Sequence, residues 1–247
     1  MKYNSLNYLV QLLIVIVFLG GLYLFIKPEE SVTPTQLNKK EIQQKDIKKT
    51  DRLRALPKVS VEDWELVLVN RDHITKEMSP ELADINGISV DKRIEQATSD
   101  FLAAAQAIDS QEHLISGYRS VDYQTELYQS YIKKEMANDP TLTQEAAEAL
   151  VQTYSQPPGT SEHHTGLAID MSTVDTLNAS DPSVSKAVQK IAPDYGFVLR
   201  FPEGKKTSTG VDYEDWHYRY VGKASARYMT QHNLTLEEYI AALKEKR

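Results

Sequence analysis

Residues 8–26, YLVQLLIVIVFLGGLYLFI, run for 19 positions without a charge between Lys2 and Lys27. At the helical rise this is about 28 Å, close to one bilayer core. A cleaved signal peptide is the alternative, with a shorter apolar core that ends at a small-x-small site. The nearest such site, Ser31-Val32-Thr33, is followed by Pro34, a poor place to cut. An uncleaved signal anchor over 8–26 is therefore expected. Lys2 precedes it, whereas Lys27, Glu29 and Glu30 follow it with a negative balance. That asymmetry puts residues 1–7 in the cytoplasm and the body outside, as a single-pass protein of the cell membrane.

Residues 27–56 read as a stalk, SVTPT followed by polar, Lys-rich sequence. It is expected to be a solvated tether, and its basic run from Lys39 to Arg54 could touch anionic wall polymers. From Leu56-Pro57 onward the composition is that of a folded domain. Residues 57–247 have one ordinary domain length and no internal repeat. At 41% hydrophobic and 26% charged residues, the chain is not disordered throughout. Residues 1–56 carry nine Lys/Arg against five Asp/Glu, and the remainder 19 against 30. An acidic body argues against nucleic acid as partner. The absence of cysteine excludes disulfides, a thiol nucleophile, iron–sulfur clusters and thiolate zinc sites. Any metal must then be held by His, Asp and Glu, with six histidines to choose from.

Strands are expected over 64–69 (WELVLV), 113–118, 166–171, 196–201 and 213–221. Helices are expected over 122–136, 143–154 with Thr143 as cap, 183–192, 223–232 and 235–246. Over 90–108, the apolar spacing of Ile94, Ala97, Phe101, Ala105 and Ile108 predicts an amphipathic helix. Helices and strands mix without a regular βα alternation, so the class is α+β.

Two short segments concentrate histidine and carboxylate: Ser161-Glu162-His163-His164-Thr165-Gly166-Leu167-Ala168-Ile169-Asp170 and Glu214-Asp215-Trp216-His217. Asp170 alternates with Ala168 and Gly166 on one strand face, with Leu167, Ile169 and Met171 on the other. A buried, unpaired aspartate is costly, so Asp170 needs a cation or strong donors. A metal shared with His163 would meet that need, and His164 competes for the same role. His217 shares its strand face with Asp215 and Arg219, with Trp216, Tyr218 and Tyr220 opposite. Glu214 can reach the site of His217 only if it sits at the start of the strand, where the pleat no longer binds it. Two histidines, one carboxylate and a water form an open zinc site, and a nearby non-ligand Glu can serve as general base. His73, His113 and His232 have no carboxylate pattern around them.

The pattern Ser161-x-His163-x-x-Gly166-x-Ala168-x-Asp170, followed by Glu214-x-Trp216-His217, resembles the signature of the VanY-like D-alanyl-D-alanine carboxypeptidases. These are zinc peptidases of bacterial peptidoglycan, and the group includes LD-carboxypeptidases acting on tetrapeptide stems. Ser116-Gly117-Tyr118-Arg119-Ser120 with Gln124 resembles the family's upstream motif, and Leu66-Val67-Leu68-Val69-Asn70-Arg71 its opening strand. The resemblance covers roughly residues 60–240. It implies a single zinc-peptidase domain with a small, mostly antiparallel sheet flanked by helices. It also implies one Zn2+ held by His163, Asp170 and His217, with Glu214 as the base acting on the attacking water. Arg119, with Gln124 and Ser161, would hold the terminal carboxylate of a peptidoglycan stem peptide, and the product would be D-alanine.

Independent chemistry agrees with part of this, since an exopeptidase must read a free carboxylate and arginine binds one bidentately. Ser130-Tyr131-Ile132-Lys133 matches S-x-x-K but lacks S-D-N and K-T-G, so no serine-nucleophile route is expected. Two rivals stay open. A non-catalytic wall-binding or sensor domain would have no use for Glu214. An endopeptidase would have no carboxylate for Arg119, and a dipeptidase would need an acidic group for a free amine. DD and LD activity differ in the pocket around the penultimate residue.

Overall fold

The computed structural model describes residues 53–246 apart from 54 and 177, so the expected anchor and nearly all of the stalk lie outside the described residues. Among the described residues no helix is long and apolar enough to cross a membrane. From Leu53 onward the chain forms one unit. Leu56 is already buried in it, just before the expected boundary.

A hairpin comes first, β1 (Leu82–Ile85) paired antiparallel with β2 (Ile88–Asp91). Its turn is Asn86-Gly87, with φ of 55° and 86°, the two-residue chemistry that matches strand twist. After a 3₁₀ turn come α1 (Glu95–Gln106), β3 (His113–Ser116), α2 (Val121–Asn138) and α3 (Gln144–Val151). A further 3₁₀ turn, Glu162–Thr165, leads into β4 (Ala168–Ser172), then α4 (Pro182–Tyr195) and β5 (Phe197–Leu199). The one-turn helix Lys206–Thr209, β6 (His217–Tyr220), α5 (Lys223–Gln231) and α6 (Leu236–Lys246) complete the chain. The caps follow the sequence: Ser120, Thr143 and Asp181 each accept a backbone N–H in the first turn of α2, α3 and α4.

The main sheet has the order β3-β4-β6-β5 with every pairing antiparallel, which is α+β as expected. Register decides which face does what. Ile169, Tyr218 and Leu199 align across three strands and pack with Phe101 of α1 and Val188 and Ala192 of α4. Phe101 is fully buried, stacked on Phe197 at 5.1 Å and edge-on to Tyr218 at 5.2 Å. On the opposite face Ser116, Asp170 and His217 align in a row, and Ala168 stands opposite Arg219. A second core joins Val198 of β5 and Val221, just past β6, to α5 and α6, and a smaller one joins α2 to α3.

One expected element is not formed, and another starts late. Residues 64–69 make a 3₁₀ turn at Trp64–Leu66 and then a non-strand segment. Their β-rich side chains fill two cores at once, Trp64 and Val67 in one, Leu66 and Leu68 in the other. The backbone carbonyls of Glu65 and Val67 accept from Arg219 Nη2 at 3.0 and 2.7 Å instead of from a neighbouring strand. The helix expected from residue 90 begins at Glu95, because the Asn86-Gly87 turn draws residues 88–91 into a hairpin. Phe101→Ala should destabilise the domain by about 3–5 kcal/mol, the usual loss for emptying a buried aromatic site. Denaturant titration would detect this, and a change under 1 kcal/mol would contradict the assigned core.

Candidate metal centre and cleft

The cross-strand pairing of Asp170 with His217 brings these two side chains together. His217 Nδ1 lies 3.0 Å from Asp170 Oδ1. His163 arrives from the 3₁₀ turn, which ends at Gly166 with φ of 69°. A Cβ there would lie 2.9 Å from the Asp91 N atom, so both the left-handed backbone and the close approach require glycine. His163 Nε2 is 3.4 Å from Asp170 Oδ1, and the two imidazoles cross at 87° with centroids 4.9 Å apart. One ligand atom from each of His163, Asp170 and His217 falls within 4.8 Å of the others, all three residues being buried.

The remaining polar atoms are assigned elsewhere, which fixes the ligand atoms. His163 Nδ1 donates to the Gly117 carbonyl at 2.6 Å, leaving Nε2 free to ligate. Asp170 Oδ2 accepts from Ser116 Oγ and, at 3.3 Å, from Arg119 Nη2, leaving Oδ1. His217 Nε2 faces Glu162 Oε2 at 3.5 Å, and neither atom makes a hydrogen bond among the described residues. His217 Nδ1 is therefore its ligating atom. His164 is not a competitor: its Nδ1 donates to the Arg119 carbonyl at 2.8 Å and its Nε2 accepts from the Gly159 N–H at 3.0 Å. It shapes the Arg119 backbone instead.

Burial opposes the charge on Asp170, but His163 and His217 outweigh it and hold the carboxyl well below its ordinary range. Burial, aided by Arg119, lowers His163 to about 4. For His217 burial also opposes charge, yet Asp170 and Glu162 prevail and push it up to about 9. Glu214 lies before β6, outside the pleat, with Oε2 3.9 Å from His217 Nδ1. Burial raises its carboxyl to about 8, against the pull of His217. It is a buried carboxyl beside the three grouped residues and is not one of them. Trp216, expected on the opposite face from His217, lines the same cleft, because the regular strand begins only at His217.

Arg119, Ser161, Glu214 and the three ligand residues all line one open cleft, walled further by Tyr131, Tyr154 and Phe201. Arg119 Nη1 donates to Gln124 Oε1 at 3.0 Å, while its Nε is buried and unpartnered. Gln124 is fully buried behind Arg119, with Nε2 on the Gln156 carbonyl at 2.7 Å, and it does not line the cleft. Its place is to orient the guanidinium. Sequence reasoning passed over Glu162, whose carboxylate meets Arg200 Nε and Arg219 Nη1, each at 2.8 Å. Burial would raise Glu162, but the two arginines hold it far below its usual range. The available signal was a pair of arginines inside apolar strands, Arg200 and Arg219, both fully buried.

A scan of families matches the model of the VanY D-alanyl-D-alanine carboxypeptidases over residues 87–223. The chain belongs to this family. It is 36% identical over 181 residues to a D-alanyl-D-alanine carboxypeptidase of Enterococcus faecalis, a match that spans 72% of this chain and 66% of that relative. Among solved structures it resembles a mutant of the vancomycin-resistance D,D-pentapeptidase VanY in complex with Zn(II), at 34% identity and TM-score 0.64. That match covers 72% of this chain and 99% of that one. The LdcB LD-carboxypeptidase is similar at 29% identity and TM-score 0.58, over 71% of this chain and 85% of that one. Zinc is the metal that the donor set fits, two imidazoles and one carboxylate with an open side toward the cleft.

Glu162 Oε2 is placed to favour the His217 tautomer protonated at Nε2, so Glu162→Gln should weaken zinc binding by about 10–100-fold. Chelator competition on the full chain measures this, and unchanged affinity would contradict the assignment. His217 also sets the pH response. Its raised value means that a proton must leave before metal binds, so zinc affinity should fall as pH drops below about 9.

Proposed function

We propose that this chain is a zinc carboxypeptidase that removes the terminal D-alanine from peptidoglycan stem peptides, acting in DD fashion on pentapeptides or LD fashion on tetrapeptides. The carrying observation is that Arg119 both lines the cleft and contacts the non-ligating oxygen of Asp170 at 3.3 Å. A guanidinium so close to the metal ligands reads a carboxylate one residue from the bond to be cut. An internal bond offers no such carboxylate, which argues against an endopeptidase. A dipeptidase must also bind a free amine. Among the described cleft-lining residues the carboxylates are Glu162, Asp170 and Glu214, all committed to arginine, histidine or base duty.

When bound, zinc acidifies the attacking water and polarises the scissile carbonyl. The residues do the rest. His163, Asp170 and His217 hold the metal on the sheet face. Arg119 fixes the substrate carboxylate through Nε and Nη groups, aided by Ser161 at the cleft wall, and Gln124 keeps the guanidinium aimed. Glu214 takes the proton of the attacking water and passes it to the leaving amine of D-alanine. A value near 8 without metal fits a group made acidic enough to be a base once a dication stands beside it. The apolar run at 8–26 supports anchorage in the cell membrane with the domain outside, facing the wall.

Glu214→Gln should retain zinc yet lose about 10²–10⁴-fold in turnover. A mutant keeping more than a tenth of wild-type activity would remove Glu214 as base. Arg119→Lys should lower kcat/KM on free stems by roughly 10–150-fold, since a point charge cannot reproduce the fork and charge-assisted bonds contribute about 1.5–3 kcal/mol. Steady-state kinetics on defined stems decides, and wild-type efficiency in the Lys variant would refute carboxylate reading.

A further inference from the structure

The segment that carries Glu214 has lost a neighbour. β4 last bonds toward β6 through the Met171 N–H, which donates to the Trp216 carbonyl at 2.9 Å. Beyond Ser172 the chain leaves the sheet, so residues 213–215 have no strand on that side among the described residues. Their other side is still held, with the Glu214 N–H donating to the Phe201 carbonyl at 3.1 Å. The chain bends at Asp215 and Trp216, and the Tyr213 carbonyl and the Asp215 N–H turn toward the space beyond the end of β4.

The side chain of Asn178 fills that space. Its Oδ1 accepts the Asp215 N–H at 2.9 Å, and its Nδ2 donates to the Tyr213 carbonyl at 2.9 Å. One amide thus engages the backbone immediately before and after Glu214. Asn178 itself has φ of 52°, a left-handed conformation that asparagine tolerates far better than most residues. It is not a metal ligand and does not line the cleft.

We propose that Asn178 is a positioning residue for Glu214, its amide standing in for the strand that β4 no longer supplies. The inference rests on the reading of Glu214 as base. With the amide in place, the backbone on either side of Glu214 is tied to the loop beyond β4. Without it, these two ties are lost, and the carboxyl can drift from the water it must deprotonate. Misplacement of about 1 Å is enough to slow a reaction on the order of 100-fold.

Asn178→Gly tests this cleanly, because glycine keeps the left-handed backbone and removes only the amide. In the full-length chain, kcat on a defined stem ending in D-alanine should fall roughly 10- to 100-fold. KM should stay within about twofold, and zinc content should remain that of the wild type, since neither the arginine nor the metal ligands are touched. Asn178→Asp, which keeps the acceptor for Asp215 but loses the donor to Tyr213, should fall between the two. Placed in Glu214→Gln, the glycine substitution should add little, because its effect passes through the carboxyl already removed. Wild-type kcat in Asn178→Gly, loss of zinc, or an undiminished further loss in the Glu214→Gln background would each overturn the inference. Near-wild-type turnover in Glu214→Gln alone would instead overturn the base reading beneath it.

Discussion

A carboxylate fully withdrawn from water needs neutralisation on every side, and that of Glu162 sits at the centre of this domain. Two buried arginines share its Oε1. Arg200 continues to Glu237 of α6 with contacts of 3.0 and 2.6 Å, and Arg219 continues to the carbonyls of Glu65 and Val67. The 3₁₀ turn, the end of β5, β6, the opening segment and the last helix are thereby tied to one side chain. Removing one member of such a buried set typically costs about 3–5 kcal/mol, because the others keep their unpaired charge. Since the arginines use Oε1, Oε2 is left for His217, and the scaffold and the metal site share one carboxylate.

Asp170 divides its labour in the same way. One oxygen faces the two imidazoles, and the other is held by Ser116 and Arg119. On the proposed reading, Asp170 thereby sets the spacing between the substrate carboxylate at Arg119 and the metal. Such a fixed spacing would suit an exopeptidase and leave chain length beyond the terminal residue free to vary.

Much of this was legible in the sequence, for identifiable reasons. Period-two alternation put Asp170 and His217 on the polar face of their strands, and antiparallel register then paired them. The odd spacing of Glu214 from His217 required it to sit at the start of the strand, outside the pleat, while its separation from the ligands came from the family resemblance. Other features depended on contacts that no local pattern encodes. The β-formers of 64–69 are held by a guanidinium 150 residues away in the chain. The pairing of Arg200 and Arg219 through Glu162 joins residues 38 and 57 positions apart. Gln124 read as a substrate contact, yet it lies buried behind Arg119. The Asn86-Gly87 hairpin carried a local signal that the helical periodicity of the following residues obscured.

The central claim is that the cleft cuts only the bond beside a free terminal carboxylate, and only with metal in place. Mass spectrometry of defined penta- and tetrapeptide stems tests it most directly, each stem offered as free acid and as C-terminal amide. The full-length enzyme is assayed as purified, after chelation, and after zinc is restored. The account predicts loss of a single D-alanine from the free acids, little reaction of the amides, and activity that follows zinc. Equal cleavage of amidated and free stems, cleavage at an internal bond, or undiminished activity after complete chelation would contradict it.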